Sequence, residues 1–195
     1  MKLSILICSL TERQDQLRSL LAVLNADKYA DVEVLLDIDD RVKVIGQKRN
    51  DLLQLSQGDY VVFIDDDDLV DPDYIPEILK ALDQNPDVVG INGIMSWPGS
   101  KSKPFLHSIR YGHWYEDNNN FYRTPNHWNP VKREYALRTM FKEINWGEDH
   151  DYSNRLYPLI QHGREVYIAK PIYFYQFDPK KSVASQRKKE DEVVV

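Results

Sequence analysis

The stretch Tyr60-Val61-Val62-Phe63-Ile64-Asp65-Asp66-Asp67-Asp68 constrains this chain more than any other. Five strand-favouring residues without a polar break predict a strand buried on both faces, as in a parallel sheet covered by helices. Four carboxylates follow at once. In an open α/β sheet, ligands bind beyond the carboxyl ends of the strands, so these acids stand where a site is expected. Adjacent like charges repel, and each loses hydration at a sheet edge, which makes a divalent cation the simplest neutraliser. Oxygen-only ligands favour a hard ion, Mg²⁺ or Mn²⁺, with a phosphate-bearing ligand completing the shell. The plainer alternative is an acidic turn in which Asp68 or Asp71 caps a helix starting near Pro72. A cap requires one aspartate, and this stretch has several.

The remainder of the chain fits that sheet. Leu3 to Leu10 reads as a first strand, and Gln14 to Leu24 as a helix with Leu17, Leu20, Leu21 and Leu24 on one face. Val32 to Leu36 is a second strand that again ends in acids, Asp37-Ile38-Asp39-Asp40. Gln47 to Leu55 reads as a helix with Gly58 as its C-cap, followed by the acidic third strand, a helix from Pro72 to Leu82 and a strand at Val88 to Ile94. This alternation predicts an α/β fold, a parallel sheet with right-handed crossovers and helices on both faces. From Ser96 to Asn129 the chain turns to Pro, Gly, Asn, His and closely set aromatics, among them Tyr111, Trp114, Tyr115, Phe121, Tyr122 and Trp128. Such a segment is either a set of short antiparallel strands or an ordered binding loop; sugar faces pack on such rings, and half-buried strands share the composition. Beyond it, Glu134 to Met140 and Tyr152 to Gln161 read as helices and Val166 to Gln176 as strand. The charged tail from Lys180 is expected to be poorly ordered.

Composition bounds the function. The length, 195 residues, suits one domain, and 42% hydrophobic with 29% charged residues is ordinary for a globular protein. A net charge of −6 argues against a general nucleic-acid binder, so a polyanionic ligand must be met locally or through a metal. The single cysteine, Cys8, is expected as a small core residue in a reducing compartment. The N-terminus reads as a strand and not as a signal peptide, and no run approaches the roughly 18 apolar residues of a transmembrane helix. A cytoplasmic protein is expected.

Three motifs carry a resemblance. Phe63-Ile64-Asp65-Asp66-Asp67-Asp68 resembles a strand-end DXD, with Lys48-Arg49-Asn50 upstream and Gly147-Glu148-Asp149 downstream, in the order found in nucleotide-sugar glycosyltransferases of the inverting family-2 type. Pro125 to Arg133, followed by Trp146-Gly147-Glu148-Asp149, also resembles a small viral and bacterial branch of these enzymes. The resemblance implies a GT-A (Rossmann-like) catalytic domain over residues 1–178, with a nucleotide-sugar-binding half (1–95) and an acceptor half (96–178) that is smaller and antiparallel, followed by a tail (179–195). It implies a nucleotide-sugar donor, UDP-linked most commonly, a saccharide or other hydroxyl acceptor, and Mn²⁺ or Mg²⁺. Thr11-Glu12-Arg13 would lie by the nucleobase, and Asp37, or Asp39 in its place, would accept a hydrogen bond from the base. Lys48 and Arg49 would lie near the base or diphosphate. Asp65 would touch the ribose or a metal water, Asp66 would share that load or point into the sheet, and Asp67 would hold the metal. Trp128 and Trp146 would contact the acceptor.

Asp149 is the expected general base, following a glycine and heading a helix whose dipole keeps it ionised, with Glu148 beside it. The same two acids also fit an N-cap and first turn. His127 is either a third metal ligand or a structural histidine, and Thr11 either serves the site or caps the following helix. The stretch Tyr173 to Asp178 lacks the histidine that many family members use as a metal ligand. A nucleotidyltransferase would want a glycine-rich triphosphate loop, which Ser9 to Arg13 does not provide. A non-catalytic nucleotide- or saccharide-binding module is the other alternative.

Overall fold

The structure, a computed structural model, is described for residues 1–177; the expectation for the charged tail lies outside the described residues. Ten strands and five α-helices follow one another as β1 (Leu3–Leu10), α1 (Gln14–Leu24), β2 (Val32–Asp39), α2 (Ile45–Leu55), β3 (Tyr60–Phe63), β4 (Leu69–Val70), α3 (Tyr74–Leu82), β5 (Val88–Ser96), β6 (Lys103–His107), β7 (Tyr115–Glu116), β8 (Phe121–Arg123), β9 (Val131–Lys132), α4 (Arg133–Thr139), α5 (Glu148–Ile160) and β10 (Glu165–Gln176). The sheet runs β2-β1-β3-β9-β5-β6-β8-β7, with β10 joined to both β5 and β4. β1 pairs in parallel with β2 and β3, and β10 pairs in parallel with β5. None of the described helices is long and apolar enough to cross a membrane.

Both faces of the sheet are covered, which is why β1 and β3 read as unbroken apolar runs. Leu3, Ile5 and Ile7 of β1 pack with Leu17 and Leu20 of α1 and with Tyr74, Ile75 and Ile78 of α3. Their neighbour Leu6 points the other way, onto Leu52 and Leu53 of α2, Tyr152 and Leu156 of α5, and Phe141. The period of two sends alternate side chains into separate cores.

The break in the parallel arrangement shapes the site. The two residues of β9 slip between β3 and β5, antiparallel to both and paired only with Tyr60, Val61 and Val88. Past them the Phe63 N–H donates to the His127 carbonyl at 2.9 Å, which carries the segment before β9 along the end of β3. Trp128 forms a wedge there, stacked on Tyr173 with centroids 4.8 Å apart and 5.5 Å from Phe105. The aromatic segment resolves as short strands, of which β6 lies antiparallel to β5 and β7 to β8, while β6 and β8 run parallel.

Several local expectations are corrected. β2 continues through Asp39, so Asp37 and Asp39 lie within the strand, opposite Cys8 and Leu10 of β1. Gly58 is not a C-cap, because α2 ends at an extended Ser56. The glycine is needed where the chain passes β1: a Cβ there would sit 2.7 Å from Ser4 N and Oγ. α3 begins two residues after Pro72, at Tyr74, and takes no side-chain cap from Asp73. Asp68 is turned inward, and Asp71 accepts from the backbone N–H of Asp73 at 2.9 Å and pairs with Lys170 at 2.8 Å. α1 has no side-chain cap either, so the capping role of Thr11 does not form. α5 starts four residues early, at Glu148, behind the left-handed Gly147 (φ 73°).

α2 also starts early, with Gly46 inside its first turn, because the segment leading to α5 docks there. The Gly46 N–H donates to the Ile144 carbonyl at 3.2 Å, the Ile45 N–H to Asn145 Oδ1 at 3.1 Å, and Asn50 exchanges two hydrogen bonds with the Phe141 backbone at 2.7 and 2.9 Å. A Cβ on Gly46 would lie 1.8 Å from the Lys142 carbonyl oxygen. Gly46→Ala is therefore expected to cost about 1–3 kcal/mol, the usual cost of overpacking, read as a lower urea midpoint. An unchanged midpoint would mean that the segment from Lys142 to Trp146 is not held by this contact.

Candidate active site

The carboxyl ends of β1, β2 and β3, the first turns of α2 and α5, and the end of β10 enclose a cleft of about 1110 Å³. A smaller cavity of about 700 Å³ lies at the opposite, amino ends of the strands, around Lys2, Tyr60 and Lys132. All four aspartates that follow β3 line the larger cleft, and the fold gives each a different partner.

Asp65 takes the Arg49 Nη2 donor on Oδ1 at 3.0 Å, and on Oδ2 the indole Nε1–H of Trp128 at 3.0 Å, with His127 Nε2 at 3.3 Å. Burial alone would raise its pKa. The Arg49 charge, with His127 and Trp128, outweighs burial and holds the carboxyl below the usual range. Asp66 is buried and accepts from Ser9 Oγ at 2.6 Å and Arg13 Nη1 at 2.8 Å. Asp67 is the most open of the four, 48% exposed, with Arg13 Nη1 at 3.1 Å. Partial burial and the neighbouring charges of Asp65 and Asp66 raise its pKa against the pull of Arg13. Asp68 is buried, accepts from the Tyr173 hydroxyl at 2.6 Å and leaves Oδ1 without a partner. Burial first and the Asp65 charge next push its pKa well up.

Arg49 joins this strand end to the start of α5. Its guanidinium, 5% exposed, lies 3.5 Å from Glu148 and within 5.6 Å of the Phe63 and Phe141 ring centroids. Its Nη1 is buried without a partner. Glu148 is itself buried, and burial raises its pKa against the attraction of Arg49. Asp149, next along, is half-buried and within electrostatic reach of Arg49 and Tyr175. Both acids occupy the first turn of α5, where the helix dipole favours negative charge.

The other expected residues fall at different depths. Asp39 lines the cleft, accepting from Lys48 Nζ at 2.8 Å and from the backbone N–H groups of Lys43 and Arg41 at 2.8 and 3.2 Å. Burial would raise its pKa, and these donors bring it below the ordinary value. Asp37 does not line the cleft and is tied to Lys43 at 2.9 Å. Lys48 is buried and also donates to the Ser9 carbonyl at 2.5 Å. Thr11 and Glu12 are exposed, and Glu12 pairs with Arg41 at 2.6 Å. Trp146 lines the cleft. Trp128 does not; it lies under the acids as a hydrogen-bond donor to Asp65, which corrects its expected role as an acceptor contact. His127 is buried beside it, with Nε2 turned to Asp65 and Nδ1 without a partner.

Sequence reasoning missed Ser9, Trp97, Tyr173, Tyr175 and Phe177. Ser9 had a signal in its place at the end of the first strand. Tyr173 and Tyr175 of β10 and Phe177 just past it form an aromatic run, and rings near a carbohydrate site are informative in themselves. Among the described residues, no group of three or more carboxylate, imidazole or thiol side chains converges on one cation position.

Removing the Arg49 charge should expose how much depends on it. Arg49→Met leaves the buried Glu148 and the partly exposed Asp65 without their counter-charge, and is expected to cost about 3 kcal/mol near neutral pH. Asp65, its pKa depressed in the fold, contributes stability above about pH 4 that is lost as pH falls further. Without Arg49 both acids titrate above their unfolded values, so protonation favours the fold. The gap between variant and parent should therefore narrow from pH 7 to about pH 4 in urea unfolding; a constant gap would mean that the arginine acts through packing alone.

Comparison with known proteins agrees with this geometry. The profile of glycosyl transferase family 2 matches residues 7–144. A glucosyl-dolichyl phosphate glucuronosyltransferase of Haloferax volcanii is 32% identical over 82 residues, 40% of this chain and 26% of that protein. Among solved structures, S. aureus TarS 1–349 superposes with a TM-score of 0.66 at 17% identity, over 90% of this chain and 60% of that one. Its complexes with UDP-GlcNAc and with UDP superpose with TM-scores of 0.65 at 16% identity, over 91% and 92% of this chain and 59% and 62% of theirs. The chain thus spans about a quarter of the Haloferax protein and three fifths of the TarS fragment. The likeness shows the GT-A arrangement expected from the motifs, and with the family profile spanning both the acidic strand end and the approach to α5, the chain belongs to glycosyl transferase family 2.

Proposed function

We propose that this chain moves a sugar from a nucleoside-diphosphate-sugar, most simply a UDP-sugar, to a hydroxyl acceptor with inversion at the anomeric carbon. One observation carries the reading: a single cleft beyond β3 is lined both by an open carboxylate, Asp67, and by a buried guanidinium, Arg49, whose Nη1 has no partner. A carboxylate to hold a cation and a donor to meet an anion are what a metal-bound diphosphate requires. The UDP and UDP-GlcNAc complexes of TarS support the same donor class.

The residues present fit a hard cation held by one or two carboxylates, with water and phosphate oxygens filling the rest of the shell. Asp67, with Asp65 beside it, would hold Mg²⁺ or Mn²⁺; His127, its Nε2 turned to Asp65, fits less well. Such an ion supplies Lewis-acid stabilisation of the departing diphosphate. Arg49 and Lys48 add positive charge on the same side. Asp39 is preferred over Asp37 for the base because it lines the cleft, and Thr11, Glu12 and Arg13 flank that end. Trp146, with Trp97 and Tyr175, offers ring faces to the sugar or acceptor.

The acceptor oxygen attacks the anomeric carbon as the bond to the diphosphate breaks, and its proton passes to the Asp149 carboxylate. In-line attack opposite the leaving nucleotide gives inversion. Glu148, buried against Arg49, holds the α5 terminus in place beside it.

Thermal unfolding with UDP, GDP, dTDP and CMP, each with and without Mn²⁺, tests the donor class. A ligand at about a hundred times its Kd adds about 2.7 kcal/mol. One diphosphate should stabilise only with metal, and Asp67→Ala should abolish the shift; no shift with any nucleotide would remove the nucleotide-sugar reading. Asp149→Asn should lower turnover by at least about a hundredfold while leaving donor affinity nearly intact. Unchanged turnover would move the base to Glu148 or to another group.

A further inference from the structure

Arg13 stands where the acids of β3 would meet a cation. Its Nη1 lies 2.8 Å from Asp66 Oδ1 and 3.1 Å from Asp67 Oδ2, so one guanidinium nitrogen bridges the buried carboxylate and the open one. The residue sits at the turn from Thr11–Arg13 into α1, on the rim of the cleft, and its side chain is 19% exposed. Asp66 is buried and takes Ser9 and Arg13 as donors, whereas Asp67 is 48% exposed. The contact to Asp67 is therefore the one that can open without stranding a buried charge.

We propose that Arg13 is an internal counter-ion which occupies Asp67 in the free protein, yields it to a divalent metal arriving with the donor, and then turns to the donor's diphosphate. This rests on the reading of the cleft as a site for a metal-bound nucleoside diphosphate. Guanidinium and metal compete for Asp67. A guanidinium 3.1 Å from the carboxylate repels an arriving cation and uses the lone pairs that the cation needs, so bare metal binds weakly. A diphosphate reverses the balance, because it brings its own oxygens to the metal and offers the planar guanidinium fork two phosphate oxygens in exchange for Asp67. Metal and nucleotide then bind each other's complex more tightly than either binds the free protein, which is positive coupling between two sites. Asp66 remains the hinge of the exchange, keeping the guanidinium within reach in both states.

The test reads metal and nucleotide affinity separately. Free Mn²⁺ is titrated by electron paramagnetic resonance, without nucleotide, in the parent protein, in Arg13→Gln and in Arg13→Lys. UDP, GDP and dTDP are then titrated calorimetrically at saturating Mn²⁺. Arg13→Gln is expected to bind bare Mn²⁺ at least about fivefold more tightly, the effect of removing one like charge at about 4 Å even with water-like screening. It should bind the preferred diphosphate about tenfold more weakly, through loss of charge-assisted hydrogen bonds. Arg13→Lys, which keeps the charge, should retain parent-like Mn²⁺ affinity. Equal or weaker Mn²⁺ binding by Arg13→Gln would overturn the counter-ion role, and undiminished diphosphate binding would overturn the transfer. Either result in a protein that still binds Mn²⁺ and a diphosphate leaves the functional reading standing. Binding of neither by the parent or the variants would remove that reading and this inference together.

Discussion

A buried arginine that cannot lose its proton has to be met by acids, and in this protein that requirement organises the site. Arg49 projects from α2 into the space between the end of β3 and the start of α5, with Asp65 on one side and Glu148 on the other. The rings of Phe63 and Phe141 hold the guanidinium plane, and Asn50, one residue on, fastens the Phe141 backbone. Neither acid could be kept at that depth without the cation, and the cation could not be kept without them. The same three-way contact brings together residues nearly one hundred positions apart in the chain, so the donor side and the proposed base are placed relative to each other by one charge.

The aromatic wedge is the second device. Because β9 contributes only two residues between β3 and β5, the ground beneath the acids is made of side chains and not of a continuous backbone ladder. Trp128 lies there, its ring on Tyr173 and its N–H on Asp65, while the Tyr173 hydroxyl accepts from the Asp65 backbone and donates to Asp68. Two aromatic residues from distant segments thereby fix the direction of two carboxylates. An indole with its N–H buried needs an acceptor, and Asp65 supplies one.

The architecture was legible where it depends on local period. The apolar runs of β1 and β3, the leucine face of α1 and the alternation of strands with helices led directly to a parallel sheet covered on both sides. The place of the site was legible too, since acids after a buried strand have few other uses. The fate of each acid was not. Asp65, Asp66, Asp67 and Asp68 are chemically identical in sequence, and what separates them is contact with Arg49, Arg13, Ser9 and Tyr173, all distant in the chain. The apolar run that marks the second strand stops at Leu36, but Asp37 and Asp39 belong to the carboxyl end of the same edge strand, where lysines reach them. Gly58 was read for its freedom to turn, while its use is to let another backbone come near. Long-range proximity of this kind leaves no periodic trace.

Four aspartates in a row on a chain of net charge −6 suggest a mouth that would turn an anion away. The pairing described above leaves a different field. Arg49 offsets Asp65, Arg13 offsets Asp66, and Asp68, driven towards its protonated form, adds little, so the run presents about one uncompensated charge to the solvent. Lys48 answers Asp39 in the same way a short distance off. A polyanion diffusing towards the cleft therefore meets an almost neutral aperture in a negative surface, and the approach most open to it is the one over the strand ends.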